Sequence, residues 1–479
     1  MSESGFSRFA AGFLLFGCYL SEVRVPAKEV PPNIVFLLAD DLGYMDVGAN
    51  NPKTFYETPN IDAIAKQGMR FTQGYAACSV CSPTRASILT GKYPPRTRIT
   101  NFLGGHRTGK ILPAPYADHL ALEEVTIAER LRDAGYTNFF AGKWHLGDGD
   151  FSPNAQGFGP GLTGTNQFYY PTEPPAGSRK DDPKTTDYIA DEAVKFIAAN
   201  HNRPFFAYLP FQAVHIPIRA RQDLVEKYKR KARTAAPDAW GKEGEYKVRL
   251  LQNHAPYAAM LEQMDSAIGR VLTALKTNGV AEHTVIIFMS DNGGLSTAEG
   301  FPTSNLPLRG GKGWPYEGGV REPFIIHAPG VTKPGSICET PVISTDFYPT
   351  LLELSGLSLQ PTQHRDGVSL VPLLKGGKLP HRELFWHYPH YANQGGGPCG
   401  AIRDGDWKLI EWYEDSRLEL FNLREDLGES KNVATEHPDK VERLLSHLTA
   451  WRKEVNAAMP MSGNDSLSPK SERIHAKAE

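Results

Sequence analysis

The chain has 479 residues and a formal net charge of −2 at pH 7, with 40% hydrophobic and 22% charged residues. This composition is typical of a globular protein, and the length favours one large α/β domain with a smaller companion. The near-neutral charge argues against a nucleic-acid partner, and the mean hydropathy of −0.39 excludes a protein with many membrane spans.

The N-terminal segment has the pattern of a secretory signal. Arg8 precedes an apolar run over residues 9–20, which suits a signal-peptide core but is shorter than the ~20 residues of a transmembrane helix. We therefore predict a signal peptide over residues 1–28, a secreted or periplasmic protein and no transmembrane span; the alternative is a buried N-terminal helix. Residues 15–18 resemble a lipoprotein cleavage box except at Phe16, so a lipid anchor on Cys18 is a further alternative.

Residues 33–39 form the first predicted strand, a continuous apolar run typical of a parallel strand buried on both faces. Shorter apolar strands are predicted at 137–141, 205–209, 284–289 and 323–327. Amphipathic helical patterns lie among them, at 61–67, 123–134, 186–200 and 246–277. The alternation of strands and helices predicts an α/β fold, with a large doubly wound sheet flanked by helices.

The pattern changes after about residue 375. A hairpin is predicted over 399–409 around Asp404-Gly405, then a strand at 417–423 and an amphipathic helix at 437–455. These elements predict a small antiparallel sheet with one helix. We therefore expect a main domain at 31–375, a C-terminal subdomain at 376–460 and a polar tail at 461–479.

Two polar pairs follow the predicted strands 33–39 and 284–289: Asp40-Asp41 and Asp291-Asn292. Because ligand sites of open α/β sheets lie beyond the carboxyl ends of the strands, both pairs could converge on one crevice. Three carboxylates and one amide are hard oxygen donors, which favour Ca²⁺ or Mg²⁺ over zinc. Each pair alone is also typical of a turn, but the repeated pattern favours a metal site.

Cys81 opens the sequence Cys-Ser-Pro-Thr-Arg, which places Arg85 one helical turn further on. This spacing is compatible with a nucleophilic cysteine beside a cation, or with a buried structural cysteine at a proline-led helix start. Cys78-x-x-Cys81 also suggests a redox or zinc pair, but no second CxxC or His-x-His partner follows at zinc spacing.

Four basic side chains follow predicted strands. Lys143 and His145 flank one residue, so an extended chain directs both side chains to the same face. His215 follows the strand 205–209, and Lys312 lies in a glycine-rich loop. A lone His or Lys is usually structural or solvated, whereas several that follow the strands of one sheet indicate a common site.

These motifs resemble the signatures of the formylglycine-dependent (type I) sulfatases of the alkaline-phosphatase superfamily. Residues 81–91 match the signature for conversion of Cys to formylglycine, with Thr84 where Ser is common, and residues 135–145 match the second signature except at Asn138. The acidic pairs, His215 and Lys312 occur in the family's order, and residues 418–434 resemble its C-terminal motif. The resemblance covers nearly all of residues 31–455 and implies an alkaline-phosphatase-like mixed sheet.

The resemblance also implies a modified nucleophile and a metal. A formylglycine-generating enzyme would convert Cys81 to formylglycine (3-oxoalanine), whose hydrate attacks the sulfur atom of a sulfate ester. Ca²⁺, with Mg²⁺ as the alternative, would bind to Asp40, Asp41, the modified Cys81, Asp291 and Asn292. The modification leaves three cysteines in the mature chain, Cys78, Cys338 and Cys399. At most one disulfide is therefore expected.

The family further implies roles for the basic side chains. Arg85 and Lys143 would hold the formylglycine hydroxyls, while Lys312 and His215 would bind the sulfate and protonate the leaving alcohol. His145 would take the proton of the second hydroxyl, so that sulfate leaves by elimination and the aldehyde forms again.

The expected function is hydrolysis of sulfate esters of carbohydrates and of artificial aryl sulfates. One alternative is a formylglycine-dependent phosphodiesterase or phosphonate monoester hydrolase, a group whose second metal pair looks like Asp-His rather than Asp291-Asn292. Another is an inactive homologue that binds sulfated glycans, although no predicted site residue is missing. Specificity is expected from the following positions, for each of which ordinary loop packing is the alternative: Trp240, Trp314, His387, His390, residues 395–397 and Arg403.

Overall fold

The structure is a computed structural model that describes residues 30–165, 167–173, 182, 184–234 and 236–462. The predicted signal peptide, Cys18 and nearly all of the polar tail lie outside the described residues. From Pro31 onward the chain forms one compact unit. Within the described ranges, no helix combines the length and the apolar character needed to cross a membrane.

Seven strands form the central sheet. In chain order they are β1 (Asn33–Ala39), β2 (Met69–Phe71), β3 (Thr137–Phe140), β4 (Phe205–Pro210), β5 (Thr284–Ser290), β6 (Phe324–His327) and β7 (Ser336–Cys338). Their order across the sheet is β7-β2-β6-β5-β1-β4-β3. β1 runs parallel to its neighbours β5 and β4, whereas β6 runs antiparallel to β5 and β2. The sheet is therefore mixed, as the family resemblance implied.

Helices cover both faces of this sheet. They are α1 (Pro59–Gln67), α2 (Cys81–Thr90), α3 (Ile127–Asp133), α4 (Thr186–Asn200), α5 (Gln222–Ala232), α6 (Ala255–Thr277) and α7 (Phe347–Leu354). A further helix, α8 (Pro438–Glu454), packs on the C-terminal sheet. Side chains alternate along β1, so that Val35 and Leu37 enter one apolar layer while Phe36 and Leu38 enter the other. Helices α1, α4, α5 and α6 pack on the first layer, and α2, α3 and α7 on the second. The doubly wound architecture is confirmed.

The predicted helix over 246–277 is wrong in its first third. Tyr246–Arg249 is a strand that pairs antiparallel with Trp240–Glu243, and helix α6 begins only at Ala255. His254 caps that helix, since its Nδ1 accepts a hydrogen bond from the backbone N–H of Tyr257 at 3.3 Å. Pro256 lies in the first helical turn, where its missing N–H costs nothing.

The C-terminal part forms a second, antiparallel sheet of four strands in sequence order: β8 (Leu384–Tyr388), β9 (Cys399–Asp404), β10 (Trp407–Trp412) and β11 (Leu418–Asn422). Leu444, Leu448 and Trp451 of α8 share an apolar cluster with this sheet and with Tyr75 and Tyr316 of the main part. The predicted hairpin, strand and helix are thus present, with small shifts at their ends.

Short elements complete the described chain. Paired strands are Gly74–Tyr75 with Val342–Ile343, Ile111–Leu112 with Met461–Ser462, and Gly142–Lys143 with Phe168–Tyr170 and Thr163–Thr165; short helices are Pro94–Thr97, Glu317–Val320 and Val371–Leu374. The described cysteines are Cys78, Cys81, Cys338 and Cys399. All four are free thiols, so no disulfide forms among them.

Candidate active site

The two polar pairs meet at the carboxyl ends of the neighbouring strands β1 and β5. The register places Ala39 opposite Ser290, so the residues that follow are adjacent. The backbone N–H of Asp41 donates to Asp291 Oδ1 at 3.2 Å, and Asn292 Nδ2 donates to Asp41 Oδ1 at 2.8 Å. Asp41 has a φ of 64°, a left-handed conformation that turns its carboxylate towards the second pair. All four side chains are buried.

Cys81 lies beside these carboxylates as the first residue of α2. Its Sγ is 3.6 Å from Asp40 Oδ1. Thr84 fixes the backbone just before the helix. Its hydroxyl accepts a hydrogen bond from the N–H of Cys78 and donates one to the carbonyl of Cys78. Gly91 ends α2 with a φ of 68°, a conformation that glycine adopts without strain. The signature over residues 81–91 is therefore one short, buried helix with Cys81 at its N-terminus.

Arg85 lies one turn along α2 and joins three parts of the site. Its Nε donates to Asp291 Oδ2 at 2.9 Å, and its Nη1 donates to the carbonyl of Lys143 at 2.8 Å. Nη2 is 3.7 Å from Asp40 Oδ1. Burial and the nearby Asp40 carboxylate raise the pKa of Asp291 to about 6, in spite of Arg85. Arg85 therefore positions α2 and the β5 end relative to each other.

Lysine side chains neutralise the first pair. Lys143 Nζ donates to Asp40 Oδ2 at 2.7 Å, and Lys312 Nζ donates to Asp41 Oδ2 at 2.8 Å. Burial alone would raise the pKa of Asp40, but Lys143 and the other nearby cations hold it well below its usual range. Lys312 stays charged, because Asp41 keeps its pKa well above the ordinary value in spite of burial.

The two histidines differ in their surroundings. His215 Nδ1 donates to the carbonyl of Ile216 at 2.7 Å, and its Nε2 is 3.6 Å from Asp41 Oδ2. His145 has a φ of 56°, and neither of its buried ring nitrogens hydrogen-bonds to a described residue. Burial and the charges of Lys143 and Arg85 lower the pKa of His145 well below its usual value, so this ring is an available proton acceptor.

The carboxylate and amide oxygens at this point fit a hard divalent cation. Ligand atoms of Asp40, Asp41, Cys81 and His215 all lie within 4.8 Å of one another. The Oδ1 of Asn292 is buried and has no hydrogen-bond partner among the described residues, so it is free to coordinate a cation. Asp291 is hydrogen-bonded to Arg85 and to the Asp41 N–H and remains a predicted ligand. His215, which was not expected among the ligands, belongs to the group of neighbouring atoms.

Above these residues is a cavity of about 210 Å³. Its floor contains Cys81, Lys143, His145, His215 and Lys312, all of which the sequence singled out. Sequence analysis missed its remaining walls, which come from separate loops: Phe102, Leu103, Gln167, Glu299, Asn393 and Gln394. The one sequence signal nearby was the glycine run 395–397, which directly follows Gln394. A larger groove of about 700 Å³ runs along α1 and β7 and contains none of the floor residues.

The residues expected to determine specificity do not line this cavity, because their side chains interact with other residues of the protein. His390 Nε2 pairs with the Thr100 hydroxyl, and His387 pairs with Tyr413 and the Ala458 carbonyl. The two other buried candidates, Arg403 and Trp314, donate to Gly405 O and to Gln394 O, respectively. Trp240 lies under the ammonium group of Lys247 at 3.6 Å. These interactions are the ordinary packing that the sequence left open as the alternative.

A doubly wound mixed sheet that carries buried carboxylates and a cation-lined cavity at its strand ends is the arrangement of alkaline-phosphatase-like hydrolases. The family model described as Sulfatase matches residues 32–357, and the one described as N-sulphoglucosamine sulphohydrolase, C-terminal, matches residues 311–455. The chain therefore belongs to the sulfatase family and is a sulfatase enzyme.

Individual relatives cover almost the whole chain. It is 34% identical to arylsulfatase A of Homo sapiens, over 90% of this chain and 89% of the relative. It is 33% identical to a sulfatase of Formosa agariphila, over 93% of this chain and 94% of the relative. Among solved structures, Ps i-CgsB in complex with k-i-k-neocarrahexaose is similar at 29% identity, with a TM-score of 0.70 over 88% of this chain and 92% of that chain.

Proposed function

We propose that this sulfatase removes sulfate from sulfated carbohydrates, with formylglycine formed from Cys81 as the nucleophile and a Ca²⁺ or Mg²⁺ ion at the carboxylates. The observation that carries the proposal is the position of Cys81, at the floor of the cavity, with its Sγ 3.6 Å from Asp40 and with Lys143 and Lys312 beside it. The oligosaccharide bound to Ps i-CgsB supports a carbohydrate substrate.

An unmodified thiol is a poor nucleophile at this position. Burial raises the pKa of the Cys81 thiol, and the neighbouring Asp291 and Asp40 carboxylates also oppose its ionisation. An aldehyde hydrate supplies one hydroxyl that can attack sulfur and a second whose deprotonation expels sulfate. The conversion requires a formylglycine-generating enzyme before the chain can turn over.

The metal would be held by Asp40, Asp41, Asp291, Asn292 and the side chain at position 81, with His215 adjacent. Bound there, it supplies positive charge that lowers the pKa of a coordinated hydroxyl and polarises a sulfate oxygen. Arg85 keeps the Asp291 carboxylate and the Lys143 backbone in place through the hydrogen bonds described above. The ligand geometry is therefore built before any substrate enters.

The remaining residues bind charge or move protons. Lys143 and Lys312 are the fixed cations that face a sulfate group in the cavity. A bound sulfate ester adds negative charge beside Nε2 of His215, which favours the protonated imidazole that can donate to the leaving oxygen. His145 is uncharged and has no hydrogen-bond partner among the described residues, and it accepts the proton whose loss releases inorganic sulfate.

The test compares hydrolysis of p-nitrophenyl sulfate with that of a bis-aryl phosphodiester, using protein produced together with a formylglycine-generating enzyme. We expect preference for the sulfate, and at least a ~10³-fold loss of kcat in Cys81→Ser, because serine cannot form the aldehyde. Mass spectrometry of the peptide spanning residues 71–85 checks that the wild type carries the aldehyde. Preference for the phosphodiester, or full multiple turnover by Cys81→Ser, would overturn the proposal.

A further inference from the structure

The cavity has a floor and a rim of opposite character. The floor presents the ammonium groups of Lys143 and Lys312, which suit the sulfate itself. The rim instead carries side chains that can accept hydrogen bonds and that the mechanism does not use, among them Glu299 and Gln394. A substrate must fit both parts at once, so the chemistry of the rim indicates which groups of the substrate lie next to its sulfate.

Gln394 is a preorganised acceptor. Its backbone carbonyl accepts from Trp314 Nε1 and from the Thr297 hydroxyl, both at 2.9 Å. The loop around it is closed by a hydrogen bond from the Ala392 N–H to the carbonyl of Gly396 at 2.7 Å. The side chain is buried, and its Oε1 has no hydrogen-bond partner among the described residues. A buried amide oxygen without a donor is costly, so this atom is suited to receive a donor from a ligand.

Glu299 contributes a carboxylate side chain to the lining of the cavity. It has a φ of 54° in the loop after β5, and no described residue forms a hydrogen bond or ion pair with its side chain. It lines the same cavity as Lys312, and its charge acts on that lysine. Arg249 holds this loop from behind, because its Nε donates to the Phe301 carbonyl and its N–H donates to the Ser296 carbonyl.

We propose that Glu299 and Gln394 select a neutral, hydroxyl-bearing sugar around the scissile sulfate and discriminate against a sugar that carries a second anionic group there. This inference rests on the proposed function and names its substrate class. Sugar hydroxyls donate to both acceptors, whereas a carboxylate or a second sulfate would face Glu299 with like charge and would leave Gln394 Oε1 without a donor.

The test uses matched sugars that differ only at C6: methyl galactosides and methyl galacturonides sulfated at O2, O3 or O4. Their dissociation constants are measured by calorimetry on the calcium-loaded Cys81→Ala protein, which cannot turn them over. For the preferred sulfate position, the galactoside should bind at least about tenfold more tightly than the galacturonide. Adding Glu299→Gln, which keeps the size of the side chain, should reduce this ratio to about threefold or less by improving galacturonide binding.

Two further variants separate charge from hydrogen bonding. Gln394→Met keeps the length of the side chain but removes the acceptor, so it should weaken galactoside binding about tenfold and leave galacturonide binding nearly unchanged. Glu123→Gln removes the same charge from an exposed position outside the cavity, and it should leave the ratio as in the parent protein.

The inference is overturned if neither sugar binds, if the galacturonide binds as well as the galactoside, or if Glu299→Gln leaves the ratio unchanged. Its failure is distinguishable from that of the proposed function. If the ratios behave as expected but the formylglycine-bearing wild type releases no sulfate from any of the galactosides, the hydrolytic function fails while the selectivity of the site stands.

Discussion

The side-chain amide of Asn292 has two roles in the site, one for its nitrogen and one for its oxygen. Its Nδ2 donates to Asp41 Oδ1 at 2.8 Å and to the Gly293 carbonyl at 3.1 Å, while its buried Oδ1 has no hydrogen-bond partner in the part of the chain that the structure describes. The donor reduces repulsion among the carboxylates, and the free oxygen is available to a cation. A carboxylate at this position could supply the oxygen but not the donor.

Asn292→Asp should therefore separate stability from metal binding. The substitution brings two carboxylates to the place of a 2.8 Å hydrogen bond, so we expect the metal-free protein to lose about 2–4 kcal/mol of unfolding free energy. Calcium neutralises the added charge and should recover most of that loss. Thermal melts in EDTA and in excess calcium measure the effect, and equal melting of variant and wild type in EDTA would contradict it.

At the scale of elements, a buried ion cluster joins the short helix Glu317–Val320 to the C-terminal sheet. Lys408 Nζ on β10 lies 3.0 Å from Glu317 Oε1 and 2.9 Å from Glu429 Oε1. Glu429 also accepts from the N–H of Glu317 at 2.6 Å. All three side chains are fully buried. The helix directly follows the loop that carries Lys312, so this cluster supports one wall of the active site.

Lys408→Met should destabilise the protein by about 3–5 kcal/mol, because it leaves two glutamates buried without their shared cation. Arg321 still reaches Glu317, at 3.3 Å, so Glu429 bears most of the cost. Chemical denaturation measures the loss, and adding Glu429→Gln to Lys408→Met should recover part of it. The exposed Lys453→Met is the matched control; a loss in Lys408→Met no larger than in this control would refute the role of the cluster.

Elements with a strong local signal could be predicted from the sequence. Strand β1 and helix α4 have the predicted ends, since a strand buried on both faces is a continuous apolar run and a long amphipathic helix has a clear period. The error at 246–254 has a local cause. Gly244 and Pro256 mark a turn and a helix start, but the pairing of Trp240–Glu243 with Tyr246–Arg249 was not recognised.

The active site likewise has a part that could be predicted from the sequence and a part that could not. Its floor could be predicted, because Lys143, His145 and His215 follow strands of one sheet whose ends share an edge, while Cys81 and Lys312 lie in recognisable local sequences, a signature motif and a glycine-rich loop. Its rim could not, because Gln167, Glu299 and Gln394 come from loops more than 90 residues apart. Which loops close over a cavity depends on packing across the whole molecule, for which an isolated loop sequence carries no period or motif.

At the scale of the whole molecule, buried neutral histidines make the fold sensitive to acid. Burial lowers the pKa of His254 and His387 to about 4 and that of His390 to about 3. In the unfolded chain each ring titrates near its ordinary value of ~6.5. The unfolded state therefore binds more protons than the folded state below that pH. Because of these residues, the unfolding free energy of the protein decreases as the pH falls from about 6.5 towards 4.

His390→Gln tests this linkage at a ring outside the active site. The glutamine can keep a hydrogen bond to the Thr100 hydroxyl, which His390 Nε2 contacts at 2.8 Å, so we expect a loss of about 1 kcal/mol at pH 7.5. Between pH 7.5 and 5.0, the wild type should lose about 2 kcal/mol more than the variant, because only the wild type has this ring to protonate on unfolding. The difference in unfolding free energy, measured by denaturation at both pH values, should thus shrink and change sign. His201→Gln removes an exposed ring and should stay parallel to the wild type. If His390→Gln also stays parallel, the acid sensitivity does not come from this buried ring.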